Sequence, residues 1–282
     1  MNIGIIGAGK VGVSVGRYLK DNNIQIAGFY DIDCDNAAFA AQFTETDCFS
    51  ELKELVMVSD TLFITTPDAV IGSVWDCIKN NMSVQNKIVC HFSGALSSDV
   101  FTDSQSTGAS VCSIYPMLAF SDKLTSYRIP ANTFFALEGD ETAVSAMKSL
   151  FENLGNTVCC IDKSEKSLYH TAASVLSNEL VALLDMGYSL LEQCGFSCDE
   201  AVKATQNLVL GNVKSVLENG CVNALTGPVE RNDLQTVKKH VESLKGEDRQ
   251  IYILLAKRLV NLAKAKNKDR DYSELSEFLD LW

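Results

Sequence analysis

Six residues near the N-terminus, Gly7-Ala8-Gly9-Lys10-Val11-Gly12, have the spacing G-x-G-x-x-G and follow the apolar run Ile3–Ile6 directly. The first glycine permits a tight turn, the second lets an anion approach the backbone, and the third lets helix and strand pack closely. An amphipathic stretch begins inside the pattern, so free N–H groups and a partial positive charge would face that anion. This is the chemistry of a dinucleotide pyrophosphate site. Asp31 stands nineteen residues beyond Gly12, at the end of the next apolar run. A carboxylate there accepts hydrogen bonds from ribose hydroxyls and repels a 2′-phosphate. Ile32, Asp33 and Asp35 bring no cation, which favours NAD(H) over NADP(H); Asp33 suits a helix cap equally well.

Other candidate residues lie beyond the cofactor motif. Thr65-Thr66-Pro67 and Ser93-Gly94 each follow an apolar run, where ligands collect in open α/β sheets. The first group is expected along the dinucleotide and the second near its nicotinamide end, binding substrate. Asp68 is expected to cap the following helix. On a long apolar helix, His170, Ser174 and Ser177 project within about 60° of one another, with Asn178 on the flank. An imidazole can give a proton to a forming alkoxide at neutral pH, and Asn178 can donate to the developing oxyanion. Lys166, one turn earlier, is the alternative proton donor, or a solvated surface lysine. Thr226-Gly227-Pro228 is expected to open a helix with proline near its first position. Arg231 in its first turn could then clamp a carboxylate bidentately, or pair with Glu230 or Asp233. His240, farther along, is expected to pack.

Composition limits the partners. The chain has 282 residues, a net charge of −12, 46% hydrophobic and 21% charged residues. Such acidity disfavours nucleic acid, which needs a basic stripe to displace counterions, and disfavours an anionic membrane surface. A small anionic substrate must therefore be held by local dipoles or single cations. Ten scattered cysteines contain no C-x-x-C, so no metal site is expected. With no basic leader before the first strand, they are expected to be reduced thiols of a cytoplasmic protein.

These residues need a scaffold. The pattern predicts strands at 3–6, 24–30, 61–65, 87–91, 110–114, 133–137 and 157–161, with helical patterns at 11–20, 36–43 and 70–79 between the early ones. Continuous apolar strands alternating with helices predict a parallel sheet covered on both faces, that is, a doubly wound Rossmann-type α/β fold. From residue 164 to 266 the pattern is helical throughout, with helices expected at 166–193, 198–217, 228–244 and 247–264. The expected division is a dinucleotide-binding domain over 1–162 and a helical substrate and dimerisation domain over 163–282. The 166–193 helix is apolar around much of its circumference and needs burial on several sides, which predicts a homodimer.

As a set, His91-Phe92-Ser93-Gly94-Ala95-Leu96, Tyr115-Pro116-Met117, Tyr169-His170, Asn178 and Leu225–Asp233 add to the glycine loop. With these the whole chain resembles a bacterial family that joins a Rossmann-like half to a helical half of unknown function. More distantly it looks like the superfamily of 6-phosphogluconate dehydrogenase, pyrroline-5-carboxylate reductase and ketopantoate reductase. Some members of the closer family resemble ketopantoate reductase. The resemblance implies a reductase of a small 2-oxo acid, 2-dehydropantoate first, with cyclic-imine reduction or a non-catalytic dinucleotide sensor as alternatives. Two positions depart from the pattern. Tyr115 stands where the family has histidine, and Ser174 where the hydroxyacid-dehydrogenase branch has its lysine.

Overall fold

The computed structural model describes residues 1–128 and 133–282, and the chain divides into two units, Met1–Glu179 and Leu180–Trp282. In the first, the apolar runs become β1 (Ile3–Ile6), β2 (Ile26–Tyr30), β3 (Asp47–Cys48), β4 (Thr61–Ile64), β5 (Ile88–His91), β6 (Ser110–Pro116), β7 (Phe134–Gly139) and β8 (Thr157–Cys160). Interleaved helices are α1 (Lys10–Asp21), α2 (Cys34–Thr44), α3 (Leu52–Val58), α4 (Asp68–Asn81), the single turn α5 (Ser104–Thr107) and α6 (Glu141–Asn153). The sheet order is β3-β2-β1-β4-β5-β6-β7-β8. Chain order reverses between β1 and β4, and the crevice beyond their carboxyl ends is where such sheets bind ligands.

Side-chain alternation along the strands explains the two-sided core. Ile5, Phe63, Cys90 and Cys112 meet Val13 and Leu19 of α1 and Met147 and Phe151 of α6. Their neighbours Ile6, Leu62, Val89 and Val111 turn to the other face, against Leu55 of α3 and Ile71 and Trp75 of α4. The expected all-parallel sheet needs one correction: β7 runs antiparallel to β6, and β8 parallel to β7. The described part of the connection, residues 117–128, holds turns instead of a crossover helix, so the chain returns beside β6 in the opposite sense. The sequence reading also omitted β3, α3 and α6.

The second unit begins within α7 (Lys166–Gln193) and continues through α8 (Cys198–Ala224), α9 (Leu234–Ser243), α10 (Gly246–Lys266) and α11 (Ser273–Asp280). Its core joins Val237 and Val241 of α9, Ile253, Ala256 and Val260 of α10, and Leu275 and Leu279 of α11. Gly220 adopts φ +74° and kinks α8 near its end. The helix expected from Pro228 is also corrected. Asp233 caps α9 by accepting from the Thr236 N–H (3.0 Å), and the preceding turn is held by left-handed Gly227 and Asn232. Arg231 therefore lies in a turn before the helix, not in its first turn. His240 packs as expected, with its Nδ1 2.8 Å from the Tyr252 hydroxyl. All ten cysteines are free. Among the described residues no helix is long and apolar enough to cross a membrane.

Candidate functional site

The glycine loop joins β1 to α1 beside the loop that leaves β4. Gly7 has φ +101°, and a Cβ there would lie 2.9 Å from the Thr66 nitrogen. At Gly12 a Cβ would lie 2.2 Å from the Gly7 carbonyl oxygen, so close packing of helix on loop requires glycine. Gly9 differs: a Cβ there meets no atom of the described residues within 4 Å. Its side is open, and only a ligand would contest the space. The first backbone bond of the helix runs from Val13 to the Gly9 carbonyl (3.0 Å), which leaves the N–H groups of Lys10, Val11 and Gly12 without intrahelical acceptors. Thr65 ties the two loops together by donating from Oγ1 to the Gly7 carbonyl (2.7 Å).

A groove of about 470 Å³ opens here, lined among others by Gly7, Ala8, Gly9, Thr66 and Asp31. Thr66 Oγ1 is buried with no hydrogen-bond partner among the described residues, an arrangement that calls for a ligand group. Asp31 is already engaged: it accepts from the Ala8 N–H (2.6 Å) and the Asp33 N–H (2.9 Å). A carboxylate retains lone pairs for ribose hydroxyls beyond these two bonds. Asp33 is the cap of α2, as its alternative reading held. The open Gly9 side, the free helix donors and the orphaned threonine fit a dinucleotide. One expectation is corrected: a cation does reach this end. Lys123 lines the groove and donates to Asn36 Oδ1 (2.9 Å).

A second cluster forms at the end of β5. His91 is wholly buried. Its Nδ1 accepts from the Ser93 N–H (3.1 Å), which assigns the proton to Nε2, facing the Ser97 carbonyl (3.2 Å). Burial, and then the charge of Lys166, lower its pKa to about 4, so the ring is neutral. Ser93 donates to Asp68 Oδ2 (2.7 Å) and accepts from the N–H groups of Ala95 and Leu96. Its hydroxyl thus shapes the loop. Asp68 is the first residue of α4 and serves that loop, while Pro67 occupies the cap position. Lys166 is 2% exposed and donates to Ser113 Oγ beneath the same loop. Burial pushes its ammonium below the usual lysine range, against the opposing pull of Glu138, Cys112 and Asp68. It is no surface lysine.

Gly94 brings the loop against α7. A Cβ on it would stand 2.5 Å from His170 Nδ1 and 2.6 Å from the Tyr115 ring. Tyr115 meets His170 edge-on, with centroids 5.7 Å apart, and meets Tyr169 likewise at 5.8 Å. Burial raises the Tyr115 phenol, and pushes Tyr169 up to about 12 with help from Tyr115 and Cys159. Both phenols are therefore protonated donors at neutral pH. His170 Nδ1 is buried and unpartnered among the described residues. The structure thus gathers Ser93, Gly94, Lys166 and His170. Asn178 lies about 12 Å farther along the helix axis, exposed, accepting from Ser177. Ser174 turns to Glu179 (3.1 Å).

Thr226 and Arg231 belong to the helical unit, where both are exposed. Glu230 beside them is held by Arg270, Asn267 and Tyr272, and the charge of Arg231 acts on Asp233, helping to hold that carboxyl below its usual range after its bonds to Thr236. The sequence reading missed Ser113 and Glu138, although each is a polar residue inside an apolar strand. No cluster of three or more metal-ligating side chains occurs among the described residues.

Residues 1–116 match the model of the Rossmann-like domain, and residues 133–259 match that of a domain of unknown function, DUF2520. The chain thus joins a Rossmann-like domain to a DUF2520 domain. No curated protein matches it. The chain is similar to protein TM1727 from Thermotoga maritima, with 24% identity over 94% of this chain and 99% of that one, at a TM-score of 0.77. It is also similar to a pyrroline-5-carboxylate reductase from Coxiella burnetii (16% identity, 94% and 98% covered, TM-score 0.62). An imine reductase variant from Myxococcus stipitatus, solved with NAD+, aligns at 17% identity over 99% and 98%, with a TM-score of 0.61. At these identities the likeness is one of fold.

Proposed function

We propose that this protein is an NAD(P)H-dependent reductase of a small anionic substrate, with NADH the preferred cofactor and a 2-oxo acid, 2-dehydropantoate first, the substrate to try. The observation that carries the reading is the pairing of an open, glycine-lined groove with a buried, unpartnered imidazole nitrogen at Gly94. A reduced nicotinamide supplies hydride to a carbonyl or imine carbon. His170 then protonates the substrate heteroatom, and its unmet hydrogen-bonding capacity supports that role. Ser93 and Gly94 form the floor on which the reacting group rests. Lys166, from below, fixes that floor through Ser113 and is the reserve proton donor. Asn178, exposed and about 12 Å along α7 from His170, is given no role at that heteroatom, and Arg231 and Thr226, both exposed in the helical unit, are the residues proposed to bind a substrate carboxylate.

Reduction of a cyclic imine is the second reading, favoured by the fold shared with the pyrroline-5-carboxylate and imine reductases. The proposed assembly is a homodimer through the helical half. Leu176 and Val181 on α7, and Leu208 and Leu217 on α8, are each more than half exposed. Apolar faces of that extent mark a surface to be covered, and a second copy of the same helices is the proposed cover. Turnover of NADH and NADPH with a panel of 2-oxo acids and cyclic imines tests the whole reading. Oxidation with one class identifies the substrate group. Binding of cofactor without turnover on any member would point to a dinucleotide sensor.

A further inference from the structure

The groove wall carries a cation whose role the preceding reading leaves open. Among the described residues lining the groove, Lys123 is the one with a positive charge. It arrives from the connection after β6, eighty-seven residues from its partner Asn36. That connection is seated on α2: Tyr127 packs edge-on against Phe43 at 5.6 Å, and the Lys123 ammonium lies 5.8 Å from the Phe39 ring centre. Asn36 joins two charges, donating from Nδ2 to Asp33 (3.0 Å) and accepting at Oδ1 from Lys123 (2.9 Å).

Around this point a 2′-phosphate would meet Asp31, Asp33 and Asp35 on the β2–α2 turn. Two of those carboxylates are occupied. Asp31 accepts from Ala8 and Asp33, and Asp33 accepts from Asp35 and Asn36. An ammonium has three donors, and Asn36 takes one. We propose that Lys123 is the cofactor-discriminating residue of this groove, its remaining donors serving as the counter-charge for the 2′-phosphate of NADP(H). NADH stays preferred because Asp31 takes the ribose hydroxyls, but Lys123 keeps the margin small. This rests on the dinucleotide reading of the groove.

Calorimetric titration of the full chain with NADH and NADPH, wild type beside Lys123→Met and Lys123→Arg, tests it. Loss of one charge-assisted hydrogen bond should weaken NADPH by roughly tenfold or more in Lys123→Met, with NADH changed less than about threefold, while Lys123→Arg retains NADPH. Competition by 2′-AMP against 5′-AMP should lose its 2′ component in the methionine variant alone. Equal weakening of both cofactors, no weakening of either, or a wild type that binds NADH but not NADPH each overturn the proposal. A wild type that binds neither dinucleotide overturns the reading beneath it, which is a separate result. NADH binding by the variant also certifies its fold.

Discussion

Replacing His91 with glutamine isolates one titration inside the site. The folded ring has a pKa of about 4 against an ordinary 6.5, so the unfolded chain takes up this proton first as pH falls. The stability present above pH 6.5 is therefore lost progressively between 6.5 and 4, and the loss is complete below 4. Each unit of separation is worth about 1.4 kcal/mol, and His91 is fully buried, so solvent screening takes little from it. Between roughly pH 7.5 and 4.5 the linkage amounts to about 2.5 kcal/mol. Glutamine can accept from the Ser93 N–H and donate to the Ser97 carbonyl without titrating. Urea unfolding of both proteins across that range reads the effect. Other carboxylates and histidines are common to the two and cancel in the difference. The wild type should lose about 2.5 kcal/mol more than His91→Gln on acidification. Parallel pH profiles would refute the argument, and with it the assignment of a neutral, loop-holding imidazole.

Gly9→Val should leave the fold intact, since its Cβ meets no atom of the described residues within 4 Å, yet abolish NADH binding in a titration. Retained binding would place the pyrophosphate elsewhere. Gly94→Ala should displace His170, whose Nδ1 lies 2.5 Å from the added carbon, and lower kcat with little change in NADH affinity. His170→Ala should lower kcat by ~10²–10⁴ for the loss of general acid catalysis, measured on the substrate the panel identifies. Wild-type turnover in that variant would pass the proton to Lys166. Light scattering at micromolar concentration should give twice the 30.8 kDa chain mass, and a monomer would exclude the covered helical face.

The glycine loop was legible because everything it requires is local: one strand, one turn, one helix start and three glycines at fixed spacing. The strand positions were legible for the same reason, from continuous apolar runs. What escaped depends on partners far apart in the chain. Residues 31–35 hold no cation, as read, but Lys123 reaches Asn36 from eighty-seven residues away, which inspection of the local sequence could not show. The Pro228 helix failed differently. Proline at a helix start is a common pattern, but the left-handed Gly227 and Asn232 and the capping carboxylate of Asp233 moved the start to Leu234.

Lys166 shows most clearly what a one-dimensional reading omits. At the first turn of a helix, among Ser164, Glu165 and Ser167, it looks solvated. Three-dimensional packing buries it under β6, where Ser113 is the polar residue between Cys112 and Ile114 that receives it. Glu138, equally anomalous inside the apolar run of β7, has both oxygens occupied by Ser98, and its charge offsets part of the cost of burying the ammonium. An unpaired buried charge is costly, and the pull of Glu138 meets part of that cost at Lys166. Their common product is the fixed course of Ser93 and Gly94, because Ser113 in turn reaches the Ser93 carbonyl at 3.5 Å. The charged residues of this site thus hold the loop from beneath, and among the described residues the group left without a partner beside that loop is the His170 imidazole. That division of labour is why His170, and not Lys166, is the side chain assigned the proton.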